Sequence, residues 1–306
     1  MTRRTAVIAR VLQLMKAQWW RIILTVLCAL ALPLAVDVFR QMVMMSNMPW
    51  LTEALTKIYG GTGPVYQDGL AMIDRFWTAP SVQAVLWLSL ASFLISPVLT
   101  MGLYNFLVRM LKDPGNGEGV EGDVRFVFSR MKDFFRALGC LLLIALRIFL
   151  AALPGLALYI ALMTMTLLGA IKLSAMVLML SGGGMIAAMV MAIRTAYLYE
   201  LAPVRLAEHT GEGIRAALNR SRQLMLGHRW EYFTCQLTWY WIILLVSLIS
   251  SSLSMGLGLT LDIVAKVLVN TLMLATTAGF WLIREGEEAQ LPVREQSQEK
   301  EPLLEE

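Results

Sequence analysis

The sequence predicts an all-α integral membrane protein with about six transmembrane helices and two amphipathic helices at the cytoplasmic membrane interface. Two observations carry this prediction. Of the 306 residues, 58% are hydrophobic and only 16% are charged, whereas a soluble domain carries about 25% charged residues. The apolar residues also form uninterrupted runs of roughly 20 residues, the length that an α-helix needs to cross a bilayer.

The chain begins with a basic, amphipathic segment over residues 1–18, which we expect to lie in the cytoplasm. Arg3, Arg4 and Arg10 before an apolar run are also typical of a signal peptide. The run continues through Val36, however, and five further apolar runs follow. We therefore expect the first run to be retained as a span.

Residues 19–283 form the predicted membrane domain. Trp19 and Trp20 are interfacial aromatics at the start of span one, Pro33 is expected to kink it, and Asp37 is expected near the far surface. The predicted spans are 19–39, 82–108, 137–163, 173–198, 233–257 and 262–283.

Lysine and arginine in the short loops predict the orientation. They are dense before span one and in the loops 109–136 and 199–232, but sparse in the long loop 40–81. Since cytoplasmic loops carry the excess of basic residues, both ends of the chain are predicted to be cytoplasmic and the loop 40–81 extracytoplasmic. The acidic tail, residues 284–306, is predicted to be disordered.

Each of the two basic loops contains an apolar stripe at helical spacing. The stripes are Val120, Val124, Val127, Phe128, Met131, Phe134 and Phe135 in the first loop, and Ile214, Ala217, Leu218, Ser221, Leu224 and Met225 in the second. Arginines interleave with both, so each stripe predicts an interfacial amphipathic helix with its basic face toward anionic lipid headgroups. A Gly-Glu-Gly turn precedes both stripes, which indicates either a duplicated two-span unit or convergent loop design.

The segment 197–241 is the most distinctive part of the chain. It contains Tyr197-Leu198-Tyr199-Glu200-Leu201-Ala202-Pro203, followed by Ser221, Met225, Gly227, His228, Arg229, Trp230 and Phe233. Over residues 95–285 the chain resembles a bacterial multipass membrane family known as domain of unknown function 975. The resemblance implies a multipass protein of the bacterial cytoplasmic membrane and no particular reaction. Where the family often has an acidic Asp-Asn-Pro-like turn, this chain has Glu208-His209-Thr210-Gly211.

Arg147 is the sharpest candidate for a functional residue. It lies about ten residues into span three, or roughly 15 Å at 1.5 Å per residue, which is near the middle of the bilayer. A central arginine usually faces a partner or a wet cavity. It predicts either an anion site or a structural arginine that bonds helix carbonyls or extends toward the cytoplasm.

Further candidate contacts with an anion or a lipid headgroup lie near the cytoplasmic ends of spans four and five. They are Arg194, Arg222, His228, Arg229 and Trp230. The alternative is that Trp230 anchors span five at the interface and that the charges only face lipid phosphates. Asp262 and Lys266, four residues apart, predict a local ion pair at the outer end of span six.

No catalytic or metal-binding pattern stands out, and we expect no enzyme, no cofactor and no nucleic-acid partner. His209 has no second ligand at metal spacing, and the methionines Met42, Met44, Met45 and Met48 belong to a set of 20 scattered along the chain. Two hypotheses remain. The first is a scaffold or partner subunit that holds anionic lipid, a membrane protein partner or a second copy of itself, and the second is a transporter component for an anionic solute or lipid.

Overall fold

The structure, a computed structural model, describes residues 3–60, 64–112, 119–167, 175–252 and 255–290. These residues form helices and short turns, with no strand among them. The helices are α1 (Arg3–Gly60), α2 (Pro64–Thr78), α3 (Pro80–Lys112), α4 (Gly119–Phe128), α5 (Phe134–Leu167), α6 (Ala175–Tyr199), α7 (Ala202–Glu208), α8 (Ile214–Met225), α9 (Arg229–Ser251) and α10 (Met255–Gln290). A 3-10 segment, Ser129–Asp133, joins α4 to α5.

Six of these helices, α1, α3, α5, α6, α9 and α10, are long and apolar enough to cross a membrane. Each overlaps one of the six predicted spans, so the prediction of an all-α membrane protein with six spans is confirmed. The fifth predicted span, 233–257, is too long at its end, because α9 ends at Ser251 and α10 begins at Met255. Since consecutive spans run in opposite directions, the loops fall alternately at the two ends of the bundle.

One end of the bundle holds α4, α7 and α8, and we call it the basic end. The N-terminal segment also lies there, because Arg10 donates a hydrogen bond of 3.0 Å from Nη2 to the carbonyl oxygen of Leu111 near the end of α3. The end of α10 joins them, since Trp281 Nε1 donates to Glu208 Oε2 at 2.7 Å. The opposite end carries the α1–α2 hairpin, and we call it the hairpin end.

The hydrophobic core lies toward the basic end. The fully buried residues there come from five helices: the start of α1, the second half of α3, the short helices α7 and α8, and the last third of α10. Among them are Val7, Val11, Leu103, Phe106, Leu107, Leu206, Leu218, Ala278 and Trp281. These helices therefore form a compact layer in which α3 and α10 are central.

Outside that layer, α5, α6 and α9 present large apolar side chains outward. Examples are Leu146, Phe149, Ile186, Met189, Leu244 and Leu248, each at least half exposed. Leaving apolar surface in water costs about 25 cal/mol per Å². An exposed apolar belt of this size is instead stable in lipid, where the surrounding hydrocarbon is equally apolar.

Helix α1 departs from the predicted first span in two ways. Its one non-helical residue is Gln18 (φ −143°, ψ 32°), so the break lies before the apolar run rather than at Pro33. The helix then continues past Phe39 to Gly60, and α2 returns alongside it. The predicted loop 40–81 is thus mainly a helical hairpin, because its apolar stretches continue the helix instead of interrupting it; its predicted Gly-rich turn falls largely outside the described residues.

At the C-terminus, α10 extends through Gln290, so residues 284–290 of the predicted tail are helical. Arg284 is 8% exposed and packs at the basic end, which explains why the helix continues beyond the predicted span. The remainder of the predicted tail, residues 291–306, lies outside the described residues.

The two predicted amphipathic helices correspond to α4 and α8. In α8 the stripe positions Ala217, Leu218, Ser221, Leu224 and Met225 are all buried, and they face other helices of the bundle rather than lipid. In the first loop only part of the stripe is buried. Val127 is inside, whereas Phe128, Met131 and Phe135 are exposed.

Helix α4 is held against α1 by a partly buried ion pair in addition to its apolar stripe. Arg21 of α1 donates through Nε and Nη2 to both oxygens of Asp123. A neighbouring close approach fixes α4 against α3, since a Cβ on Gly102 would lie 2.4 Å from the carbonyl oxygen of Val127. The placement of either helix in a lipid interface stays a prediction.

Candidate anion site between α6 and α9

A cavity of about 630 Å³ opens between α6 and the start of α9. It is lined by Val190, Ile193, Arg194, Tyr197, Gly227, Arg229, Trp230 and Phe233. Three of the predicted candidates, Arg194, Arg229 and Trp230, are therefore brought together here. The signal for the site was the density of arginine and aromatic residues around the junction of α8 and α9.

The turn that shapes this cavity depends on Gly227. Helix α8 ends at Met225 and α9 begins at Arg229, so only three residues connect the two helices. Gly227 has φ +81°, in the left-handed region that favours glycine because other residues place a Cβ against the following carbonyl. The turn puts Arg229 in the first turn of α9, directly beside α6.

Arg222 adds a third positive charge. It lies near the end of α8, and both Arg222 and Arg194 are within electrostatic range of Arg229. Among the described residues, none of these three guanidinium groups forms an ion pair, and Arg229 Nε is buried without a hydrogen-bond acceptor. The N-terminus of α9 contributes its own partial positive charge at the same place. The arrangement therefore repels cations and favours an anion.

The walls of the cavity are apolar and aromatic. Val190 and Ile193 of α6 are 56% and 41% exposed and face the apolar belt. The ring of Phe233 contacts the rings of Trp230 at 5.4 Å and Tyr197 at 5.9 Å between centroids. Trp230 itself is 76% exposed, as expected of an aromatic side chain at a membrane interface. The cavity thus joins a cationic mouth to a wall of the kind that lipid tails cover.

His228, also a predicted candidate, does not line the cavity. Its Nδ1 atom lies 3.2 Å from Oε2 of Glu231, one helical turn further along the chain. The histidine therefore sits on the adjacent face of the turn, where it carries an acidic neighbour.

Arg147 stands apart from this site. Its guanidinium carbon lies 4.7 Å from the ring centroid of Tyr199, the last residue of α6. Tyr199 marks the basic end, so the side chain extends toward that end, as the structural alternative predicts. Arg147 lines neither of the two described cavities.

A second charged cluster lies at the basic end, around the turn after α7. Arg205 pairs with Glu212 at 2.5 Å and with Glu285 of α10 at 3.7 Å, and Lys112 of α3 pairs with Glu208. Arg136 of α5 donates to the carbonyl oxygens of the same turn at His209, Thr210 and Glu212. Sequence reasoning missed this cluster, because its partners lie far apart in the chain and each residue alone resembles a solvated loop charge.

The same cluster offers three atoms that could ligate a metal ion. Donor atoms of Glu208, His209 and Glu285 lie within 4.8 Å of one another. Both oxygens of Glu208, however, already accept hydrogen bonds, from Lys112 and from Trp281. With the charges of Lys112 and Arg205 beside these carboxylates, the donor set fits an internal ion network better than a divalent cation.

At the hairpin end, the predicted pair of Asp262 and Lys266 is confirmed, with 2.8 Å between Nζ and Oδ2. Lys266 also contacts Asp37 of α1 at 3.2 Å, and Asp37 pairs with Arg40. The expected position of Asp37 near the far surface is consistent with this cluster, which ties α1 to α10 at the end opposite the arginine site.

The chain matches a known protein family. A sequence model of the family described as "Protein of unknown function (DUF975)" matches residues 13–261, which include the cavity between α6 and α9. Comparison with curated proteins and with solved structures finds no match.

Proposed function

The chain belongs to the family "Protein of unknown function (DUF975)", and from this premise we propose that it is a non-enzymatic scaffold or partner subunit of the bacterial cytoplasmic membrane that binds an anionic phospholipid. The observation that carries the proposal is the pair of Arg194 and Arg229 in the lining of a cavity with apolar walls, with Arg222 as a third positive charge near Arg229. Like charges held together without a carboxylate are stabilised when an anion binds between them.

The shape and composition of the cavity favour a lipid over a small soluble anion. The guanidinium groups suit a phosphate, because their N–H donors match phosphate oxygens in pairs. Val190, Ile193 and Phe233 continue from that mouth along the apolar belt, where an acyl chain would cover them. A headgroup and its tail would thus meet the two chemically different parts of one site.

Our proposal places the basic end in the cytoplasm. This placement rests on the excess of lysine and arginine in the loops of that end. The cytoplasmic leaflet is also where anionic lipids attract basic residues near the surface, at about 1 kcal/mol for each charge. On this orientation the three arginines lie at the depth of the inner headgroups.

Native mass spectrometry of the purified full-length protein tests the proposal. The wild-type protein and a triple variant, Arg194→Gln with Arg222→Gln and Arg229→Gln, are each mixed with phosphatidylglycerol and phosphatidylcholine. The matched control removes three exposed basic charges elsewhere at the basic end, through Arg125→Gln, Lys132→Gln and Arg215→Gln. We expect the wild type and the control to retain phosphatidylglycerol at least about tenfold more than phosphatidylcholine, since three charges at about 1 kcal/mol each exceed one factor of ten.

The triple variant at the cavity is expected to lose this preference. Equal loss in the two triple variants would show that only net charge matters, and it would overturn the site. Retention of phosphatidylglycerol by the cavity variant would overturn it as well.

Transport of an anionic lipid or solute is the second candidate function. It is favoured by a second cavity of about 280 Å³, lined by α3, α5 and α7, on the other side of the α5–α6 hairpin. A hairpin with open space on both sides has room to shift, as alternating access requires. Proteoliposomes that hold fluorescent phosphatidylglycerol separate the candidates: the scaffold predicts binding without transfer of the lipid between leaflets, and the transporter predicts transfer that the cavity variant abolishes.

A further inference from the structure

The second cavity, of about 280 Å³, lies between α3 and α5 and is bounded toward the basic end by α7. Its lining residues run from Phe93 to Thr100 along one face of α3, and from Ala137 to Ile144 along one face of α5. Because each wall spans seven residues of helix rise, the cavity is about 10 Å long. Leu206 of α7, which is fully buried in the core, closes the end near Thr100 and Ala137.

The α3 wall of this cavity carries three oxygen atoms. Ser96 and Thr100 both line it, and neither hydroxyl group is hydrogen-bonded to any residue in the part of the chain that the structure describes. The hydroxyl group of Thr166 in α5, for comparison, donates to the carbonyl oxygen four residues earlier at 2.8 Å. Pro97 lies between the two and has no N–H, so the carbonyl oxygen of Phe93 loses the donor that a regular helix would supply.

The other walls are apolar and uncharged. Ala137 and Cys140 of α5 are buried, and they face the α3 wall together with Leu141 and Ile144. None of the described residues that line the cavity is acidic or basic. A charged ligand would therefore find no counter-charge, and burying it would be costly. Hydroxyl and carbonyl groups without partners are also costly inside a bilayer, so the cavity suits a neutral molecule that bonds them.

The end of the cavity away from α7 lies at the apolar belt. Phe93 is 50% exposed, and Ile144 faces it from α5 and is partly buried. A molecule dissolved in the lipid could thus reach the cavity at this end without entering water.

We propose that the second cavity binds a small neutral amphiphile, a molecule with an apolar body and one hydroxyl group. An apolar cavity of about 150 Å³ binds benzene, so this one has room for a ligand of roughly twice that size. A ligand hydroxyl can donate to the carbonyl oxygen of Phe93 and accept from Ser96 or Thr100. The apolar body would then lie against Cys140 and Leu206.

This site differs from the arginine site in both position and chemistry. It lies on the other side of the α5–α6 hairpin and takes a neutral ligand instead of an anion. A bound ligand would contact α3 and α5 at once, so it would hold the hairpin against the compact layer of helices.

Thermal unfolding of the full-length protein in detergent tests the inference with two probes of one size, 1-naphthol and naphthalene. We expect 1-naphthol to give a saturable rise in Tm, because a ligand that binds only the folded state shifts unfolding by mass action. Naphthalene lacks the hydroxyl group. It should need a concentration about fivefold higher for the same rise, since a neutral hydrogen bond contributes about that factor.

Three variants locate the response. Ala137→Phe places a ring inside the cavity and should abolish the rise, and Cys140→Leu is a smaller filling change, used if Ala137→Phe fails to fold. Ala187→Phe makes the same substitution at an exposed position of α6 and is the matched control, expected to respond like the wild type. Ser96→Ala with Thr100→Val removes both hydroxyl groups and should make 1-naphthol bind no better than naphthalene.

A rise with 1-naphthol that is lost in the filled variant and kept in Ala187→Phe supports the inference. A wild type without a saturable rise overturns it, and so does an equal rise in the filled variant. If the variant without Ser96 and Thr100 hydroxyl groups still preferred 1-naphthol by the same factor, recognition of the ligand hydroxyl by these residues would be wrong. All these variants keep the three arginines, so retention of phosphatidylglycerol is measured separately and the proposed function fails or stands on its own.

Discussion

The guanidinium of Arg147 lies over the ring of Tyr199, with 4.7 Å from its central carbon to the ring centroid. The packing of α5 on α6 explains how the two meet. Gly155 faces Gly184 and Ala188, and since the helices are antiparallel, eight residues toward the basic end bring Arg147 level with about Arg194. From there its side chain needs to extend only about 7.5 Å, or five residues of helix rise, to reach Tyr199. An arginine inside a span is thus accommodated by an aromatic face rather than by a carboxylate.

This contact predicts a structural role for Arg147. We expect Arg147→Met to lower the free energy of unfolding by about 0.5–2 kcal/mol, the range of a cation–π contact. Retention of phosphatidylglycerol should be unchanged. Tyr199→Phe keeps the ring and should cost little, whereas Tyr199→Leu should cost more than Arg147→Met, because Tyr199 is also buried in the core. The double variant should cost less than the sum of the two single variants, by the energy of the shared contact. A double-mutant cycle in detergent measures the coupling between the two side chains. If Arg147→Met reduced the retention of phosphatidylglycerol, Arg147 would be a contact for the anion and the purely structural role would be wrong.

The crossing of α5 and α6 depends on a close approach of two backbones. A Cβ on Gly155 would lie 2.5 Å from the carbonyl oxygen of Gly184 and 2.7 Å from the amide nitrogen of Ala188. Because backbone atoms cannot yield as side chains do, Gly155→Ala is expected to destabilise the protein by about 1–3 kcal/mol. Gly183→Ala is the control, since a Cβ there meets nothing within 4 Å. Unfolding followed by circular dichroism compares the two, and equal stability would contradict the close crossing.

The spans could be predicted because length and hydropathy alone decide whether a helix crosses a bilayer. What happens beyond the bilayer depends on contacts that hydropathy does not encode. Helix α1 continues to Gly60 because α2 packs along it, and α10 continues to Gln290 because Arg284 and Glu285 contact the basic end. The short helix α7 was missed for the same reason. Its side chains are buried by neighbours that come from α3 and α8.

Gly227 should be required for both the turn and the arginine site. An L residue in its left-handed conformation costs about 1–2 kcal/mol, so Gly227→Ala is expected to destabilise by that amount. The turn would also change its path, which moves Arg229 away from Arg194 and should reduce retention of phosphatidylglycerol. Gly211→Ala, at a glycine of the α7–α8 turn with no positive φ, should affect neither property. Native mass spectrometry and unfolding on the same samples test both effects.

The ion cluster at the hairpin end gives a further prediction. Lys266→Met leaves Asp37 and Asp262 without their shared cation, so we expect a loss of about 1 kcal/mol, the upper range for a partly exposed pair. Lys57→Met removes a lysine that pairs with Glu53 within one helix and is 36% exposed, and it should cost little. Chemical unfolding distinguishes them. If the two variants lost equal stability, the ion pairs of Lys266 between α1 and α10 would contribute no more than an ion pair within one helix, which would contradict the prediction.

The candidate sites could be predicted only where their residues lie close together in sequence. Arg222, Arg229 and Trp230 share one segment, and the turn at Gly227 keeps them together. Arg194 could be added to them because it lies near the end of span four on the same side of the predicted membrane domain. The walls of the second cavity, in contrast, come from α3, α5 and α7, and their meeting depends on how these helices pack. The sequence pattern contained no sign of it, since serines and threonines are common in membrane helices.

The orientation of the protein rests on charge, and labelling of single cysteines tests it directly. In a background with Cys28→Ala, Thr56→Cys places a thiol on the exposed surface of the α1–α2 hairpin and Ala216→Cys places one on the exposed face of α8. The native Cys140 and Cys235 are buried and should stay unreactive. If the basic end is cytoplasmic, a membrane-impermeant maleimide labels the Thr56→Cys protein in intact cells and labels the Ala216→Cys protein only after permeabilisation. The reverse pattern would move the arginines to the outer leaflet, where the potential that attracts basic residues to the cytoplasmic surface is absent, and the proposal of an inner-leaflet lipid site would fail.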